Sequence, residues 1–150
     1  MAQGHRKVRI LFLCTGNSCR SQMAEGWARH LKGDVIDPYS AGILPQGLDP
    51  RAVKVMAEAG VDISNHYSRY VREVMVIPFD FVITVCGHAD EHCPVFPGPT
   101  AKIFHGFEDP SRLASADAGE EEILMHYRRI RDEIRAFIET LPESLLVKDA

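Results

Sequence analysis

The chain has 150 residues, 45% of them apolar and 25% charged, and a formal net charge of −4 at pH 7, the balance of one water-soluble domain long enough to bury a core. Its lysines and arginines are dispersed rather than grouped, which argues against a nucleic-acid partner. No apolar stretch approaches membrane-spanning length and no signal-peptide core precedes Val8, so a cytoplasmic monomer with four cysteines resting as thiols is the expectation.

Val8–Leu13 is apolar except for Arg9, the pattern of a strand buried on both faces. It runs directly into Cys14-Thr15-Gly16-Asn17-Ser18-Cys19-Arg20-Ser21. Gly16 and Asn17 tolerate left-handed backbone, which suits a compact loop. Such a loop turns successive N–H groups inward, and the helix after it adds the positive end of its dipole. Arg20 supplies a planar fork for two oxygens of a tetrahedral oxyanion. Cys14 stands at the mouth of this bowl, where a thiolate is stabilised and its pKa is expected to fall. Ser21 can donate to that thiolate or cap the helix. The chemistry indicated is nucleophilic attack on a phosphate-like oxyanion cradled by Thr15, Gly16, Asn17, Ser18, Cys19, Arg20 and Ser21. A buried cysteine beside a solvated arginine is the plain alternative, and it leaves the glycine-bearing turn without a purpose.

Met23, Ala24, Trp27, Ala28 and Leu31 recur at helical spacing and predict a helix from about Ser21 to Leu31. A second, shorter strand ends at Tyr39–Ala41. Asp49-Pro50 starts a helix and Gly60 stops it, with Val53, Met56 and Ala57 on its buried face. A short helix is predicted over Arg69–Met75, ahead of Pro78. Phe79–Val85 reads as the third strand, with Cys86-Gly87 at its carboxyl end, and Ala101–Phe104 as a short fourth leading to Gly106–Asp109. The last helix begins near Glu120 with acidic residues in its first turn. It carries Ile123, Leu124, Tyr127, Ile130, Ile134, Phe137 and Ile138 as one stripe. The alternation predicts a single three-layer α/β domain, a four-stranded and mainly parallel sheet with helices on both faces. Ligands of such sheets bind at the carboxyl ends of strands. Cys14, Cys86 and Asp109 all follow predicted strands, so one rim can hold all three.

Val8–Ser21 and Asp109-Pro110 resemble the N-terminal strand, catalytic loop and late general-acid motif of the low-molecular-weight protein tyrosine phosphatase family. The chain is more similar still to that family's thioredoxin-coupled arsenate reductase branch. Cys14–Trp27 (CTGNSCRSQMAEGW), Ser40-Ala41-Gly42, Asp62-Ile63-Ser64-Asn65-His66 and Gly106-Phe107-Glu108-Asp109-Pro110 carry that likeness. It spans nearly the whole of residues 1–150, which read as one such domain.

Cys86-Gly87-His88-Ala89-Asp90-Glu91-His92-Cys93-Pro94 is polar and reads as a mobile loop or short helix. Three uses compete. A phosphatase needs only Cys14, Arg20 and Asp109. A zinc site would draw on Cys86, His88, His92 and Cys93, but adjacent His92 and Cys93 make joint coordination awkward. A redox relay would use both cysteines as successive nucleophiles, and it suits arsenate, whose reduction to arsenite takes two electrons. The resemblance implies the steps. Cys14 attacks arsenic while Arg20 and the loop amides hold the oxyanion and Asp109 protonates the leaving oxygen. Cys86 then attacks the Cys14 sulfur and Cys93 attacks Cys86, and thioredoxin, the external reductant, restores the thiols.

A binding or sensing module that holds zinc or an oxyanion without turnover is the remaining alternative. Cys19 suits packing or modest redox sensitivity; His5, His30, His105 and His126 suit solvated or packing roles, and His66 is expected near the loop without chemistry. No bound cofactor is implied. Reductases of this branch can hold potassium beside the loop, and Asn17, Glu25 and Ser40 match that pattern. Arg69, however, stands where a further acidic residue is expected. A cation opposing a cation argues against potassium, and a direct Arg69–Glu25 pair is the expectation instead.

Overall fold

In the computed structural model, which describes residues 6–146, the apolar run after Lys7 forms β1 (Val8–Cys14) at the centre of a four-stranded sheet. β1 pairs in parallel with β2 (Ile36–Gly42), from Val8↔Ile36 to Cys14↔Gly42. On its other edge it pairs in parallel with β3 (Phe81–Thr84), which carries β4 (Ala101–Phe104) outside it. The order β2-β1-β3-β4 is parallel throughout, where the sequence predicts a mainly parallel sheet. Ile10, Leu11, Phe12 and Leu13 are all fully buried. Successive strand residues face opposite sides, so both faces of β1 are covered.

α1 (Arg20–Lys32) buries Met23, Ala24, Trp27 and Ala28. Trp27 Nε1 donates to the Arg131 carbonyl (3.2 Å) and the Arg135 guanidinium lies over its ring (4.9 Å), tying α1 to α5 (Glu120–Glu139). α2 (Pro50–Glu58) starts where expected, its first turn capped by Asp49 Oδ1 accepting from Arg51 N (2.9 Å). Gly60, at φ 86°, follows its end. α3 (Val71–Val74) is shorter than the predicted Arg69–Met75 helix. Arg69 and Tyr70 are claimed by the sheet instead, with Gly42 N donating to Arg69 O (2.8 Å) and a parallel bridge joining Gly42 to Tyr70. α4 (Gly87–Glu91), a 3-10 turn over Pro110–Arg112 and α6 (Glu143–Leu146) complete the described elements.

The connection after β1 leads to β2 on one side, and the chain then returns to β3 on the other. The order therefore reverses across the carboxyl ends of β1 and β3, the position where doubly wound sheets open a ligand crevice. Cys14 closes β1 there, and Cys86 lies two residues beyond β3.

Candidate active site

The loop after Cys14 is held from behind. The carbonyls of Cys14, Thr15, Gly16 and Ser18 accept from the N–H groups of Ile43 (3.2 Å), Leu44 (2.8 Å), Gln46 (2.9 Å) and Asp49 (3.0 Å). The Asn17 carbonyl accepts from Ser68 Oγ (2.8 Å) and Gln22 Nε2 (3.1 Å). Five successive carbonyls thus point away from the loop's concave side and turn the intervening amides inward. Among the described residues, the N–H groups of Gly16, Asn17, Ser18 and Cys19 have no protein acceptor. Buried donors left open in this way call for an anion.

Asn17 makes the turn at φ 48°. Its side chain donates to Ser21 Oγ (2.8 Å) and accepts from Arg69 N (2.8 Å) and Gln22 Nε2 (3.1 Å), which explains why a fully buried asparagine occupies a left-handed position. Gln22 Oε1 in turn meets His66 Nδ1 (2.9 Å), placing His66 behind the loop as expected. Ser21 is the second residue of α1 and receives the Asn17 amide. Neither a helix cap nor a bond to Cys14 is among its contacts.

Cys14 and Cys86 meet in one cavity of ≈ 450 Å³, with Thr15, Gly16, Ser18, Cys19, Arg20 and Asp109 also in its wall. The two thiols are close enough for the ionisation of each to affect the other. Cys86 Sγ also faces Thr15 Oγ1 (3.2 Å) and accepts from Ala89 N (3.4 Å), so that Cys86 caps α4. The ionisation follows these contacts and corrects the expectation for Cys14. The neighbouring Cys86 thiol, then burial, push the Cys14 thiol well above its ordinary value despite Arg20. The Cys86 thiol, whose charged form is favoured first by the neighbouring Cys14 thiol and further by Thr15 and Ala89, is drawn down to about 5. The two thiols titrate as a linked pair, in which charge on one sulfur opposes charge on the other. Cys19 is buried, which pushes its thiol well up and leaves it inert.

Arg20 opens α1 and is mostly buried; its Nη1 donates to the Phe107 carbonyl (2.8 Å) and its Nη2 lies 3.8 Å from Asp109 Oδ2. Asp109 Oδ1 accepts from Ser111 N (3.0 Å) and Ser111 Oγ (2.7 Å), which aims Oδ2 between Arg20 and Arg112 Nε (3.7 Å). Gln46, Asp49, His88, Ser111 and Arg112 also line the cavity. Sequence reasoning passed over four of them and weighed His88 only as a zinc ligand. The Asp109-Pro110-Ser111 Asx turn was the available signal for Ser111. Cys93 lies outside this wall, half-buried beyond the far end of α4, with Sγ donating to the Pro94 carbonyl (3.4 Å). All four cysteines are free thiols.

The zinc candidates are not gathered. His88 Nδ1 meets Thr15 Oγ1 (3.0 Å), His92 Nδ1 donates to the His88 carbonyl (2.9 Å), and Cys86 and Cys93 lie at opposite ends of α4. His5 lies outside the described residues.

The proposed Arg69–Glu25 pair is also absent. Glu25 Oε2 binds Arg29 Nη1 (2.8 Å) and Oε1 accepts from Ser40 Oγ (2.6 Å). The Arg69 guanidinium stacks instead on Tyr67 (4.8 Å). An i,i+4 neighbour on the same helix reaches Glu25 with less ordering than a partner from another loop. With a guanidinium already on its only carboxylate, the Asn17, Glu25 and Ser40 set does not fit potassium.

An amide bowl, a guanidinium and a pair of thiols at the switch point of a parallel sheet define a thiol-dependent enzyme for tetrahedral oxyanions. The chain belongs to the low molecular weight phosphotyrosine protein phosphatase family, which its sequence matches over residues 9–149. An arsenate reductase of Halalkalibacterium halodurans is 47% identical over 140 residues, 93% of this chain and 98% of that protein. The structure of an arsenate reductase in the intermediate state superposes with a TM-score of 0.72 at 28% identity, covering 92% of this chain and 98% of that one. A low molecular weight protein tyrosine phosphatase from T. tengcongensis gives a TM-score of 0.70 at 26% identity, covering 92% and 99%.

Proposed function

We propose that the protein is an arsenate reductase in which Cys14, Cys86 and Cys93 act in sequence, with Arg20, Asp109 and the amides of Thr15 to Ser21 handling the oxyanion. The observation that carries this reading is Cys86 in the same cavity wall as Cys14, its sulfur held there by Thr15 Oγ1 and Ala89 N. Water suffices to discharge a phospho-cysteine, whereas a second thiol beside the first is what reduction requires. Among the described residues, the His88 imidazole is the one ring in the cavity wall that could clasp an aryl ester, which favours a free inorganic oxyanion over phosphotyrosine. Slow phosphatase activity accompanies this reading, because water can also reach Cys14.

The linked titration of the two thiols lets each act in turn. With the proton on Cys86, the Cys14 thiolate attacks arsenic(V), and the hydroxide that leaves takes a proton from Asp109 and departs as water. Once Cys86 has lost that proton, its thiolate attacks Cys14 Sγ. The S–As bond breaks with its electron pair passing to arsenic, which leaves as arsenite(III) from a Cys14–Cys86 disulfide. Cys93 attacks Cys86 and frees Cys14, so two thiols are oxidised for each arsenic reduced. A helical path from Cys86 to Cys93 spans roughly 10 Å, beyond the about 7 Å that a disulfide permits between Cα atoms. α4 must therefore unwind in this step. It buries only Ala89 of its own five residues, which makes the unwinding cheap.

An external dithiol of the thioredoxin class restores the thiols, and a reducing cytoplasm suits four free cysteines. Among the described residues no helix is long and apolar enough to cross a membrane. The test is arsenate reduction coupled to thioredoxin, thioredoxin reductase and NADPH. Cys86→Ser is expected to abolish arsenite formation, and Cys93→Ser to allow one turnover without recycling. Unchanged turnover in both variants would overturn the relay and leave the phosphatase reading.

A further inference from the structure

Thr15 Oγ1 has one proton and two polar neighbours, Cys86 Sγ at 3.2 Å and His88 Nδ1 at 3.0 Å. A thiolate only accepts hydrogen bonds. Thr15 can therefore donate to a Cys86 thiolate only while its lone pairs face His88, and that requires a proton on His88 Nδ1. If His88 presents a bare Nδ1, the hydroxyl turns toward the ring and Cys86 loses one of its donors. We infer that His88 is a positioning residue for Cys86, acting through Thr15: its Nδ1–H holds the Thr15 proton on the Cys86 sulfur.

The fold fixes the ring for this task. His88 follows Cys86 by two residues in the first turn of α4, whose start is set by Ala89 N donating to Cys86 Sγ. The imidazole stacks on His92 (4.3 Å between centroids, 26° between planes), and His92 Nδ1 donates to the His88 carbonyl. The stack leaves the His88 ring edge to meet Thr15. The charged or titratable groups facing the pair are Cys14 and Arg20 beside Cys86, His92 against His88, and Cys19, Asp49, Asp109 and Arg112 in the same cavity wall. None of these reaches Thr15 Oγ1, so the His88–Thr15 contact is a separate control on Cys86. Unwinding α4 breaks it, which ties loss of the control to the step that carries Cys86 toward Cys93.

The inference rests on the proposed reading only in calling Cys86 a reductive nucleophile, and its test uses no arsenate, so the two fail separately. Fully reduced whole protein is alkylated with iodoacetamide across a pH series, and each cysteine is followed by peptide mass mapping. His88→Phe keeps a ring to stack but has no donor; His88→Asn restores an N–H near the Nδ1 position. Circular dichroism and thermal melting confirm that the variants fold. The Cys86 midpoint is expected to rise by about one pH unit from the parent's in His88→Phe, tenfold in thiolate fraction, and to return toward the parent in His88→Asn. In a Thr15→Val background, His88→Phe is expected to add nothing. An unshifted midpoint in His88→Phe would overturn the inference, and so would an equal shift with Thr15 removed.

Discussion

At the scale of single residues the loop depends on Asn17 more than on its glycine. Asn17 adopts φ 48° while its buried side chain satisfies Ser21, Gln22 and the Arg69 amide. Asn17→Ala puts a side chain without polar atoms into left-handed backbone, which costs about 1–2 kcal/mol, and strands buried donors at about 1–3 kcal/mol more. Asn17→Gly removes the bonds but relieves the backbone. The expected order of melting temperatures is parent, then glycine, then alanine, with roughly 2–4 °C lost per kcal/mol. Asp109 differs in kind, because its contacts are confined to the rim of the cavity. Asp109→Asn preserves an acceptor for Ser111 but has no proton to give the leaving oxygen. Its kcat is expected to fall by about 10²–10⁴, with little change in melting temperature; equal loss of both would mark Asp109 as structural.

At the scale of elements, the tie between α1 and β2 is a clamp made by one arginine. Arg29 binds Glu25 on its own helix and, through Nη2, the Pro38 carbonyl of β2 (3.1 Å), while Ser40 of β2 donates to Glu25. Arg29→Met leaves a buried carboxylate with one neutral donor. Because the arginine is itself half exposed, the cost is discounted to about 1–3 kcal/mol. The parent is expected to show the same melting temperature and activity in potassium and sodium chloride at equal ionic strength, and a potassium-specific gain would mean that the clamp opens to admit the ion. The Arg29 contact was readable from the sequence as an i,i+4 pair and was overlooked in favour of Arg69. The strands, α1, α2 and α5 were legible because apolar spacing and caps act locally, and each was located to within a few residues. α3 was overdrawn because the bonds from Gly42 that hold Arg69 and Tyr70 extended come from 27 residues or more away in sequence. Cys14, Arg20 and Asp109 were legible as a site for the same local reason, each closing or opening an element. The surroundings of the Cys86 sulfur were not legible, since they bring Thr15 against a cysteine 71 positions away.

At the scale of the whole molecule, a net charge of −4 opposes the approach of an oxyanion, so binding must come from the local field of the cavity. That field is built from Arg20, Arg112 and the four loop amides that have no protein partner among the described residues. Those amides remain unpaired by protein in the folded state until an anion fills the bowl, and no such bowl exists in the unfolded chain. Folding and anion binding are therefore linked, and inorganic phosphate, the isostere of arsenate, should stabilise the protein by mass action. At a hundred times its Kd the gain is about 2.7 kcal/mol, or a rise in melting temperature of roughly 5–10 °C. Sodium chloride at matched ionic strength has no tetrahedral array of oxygens to meet the amides and should give none of it. Arg20→Met keeps the amides but removes the fork, so the phosphate concentration needed for half the rise should increase at least tenfold. If chloride matched phosphate, or Arg20→Met responded like the parent, the cavity would be acting as diffuse positive charge rather than as a shaped receptor.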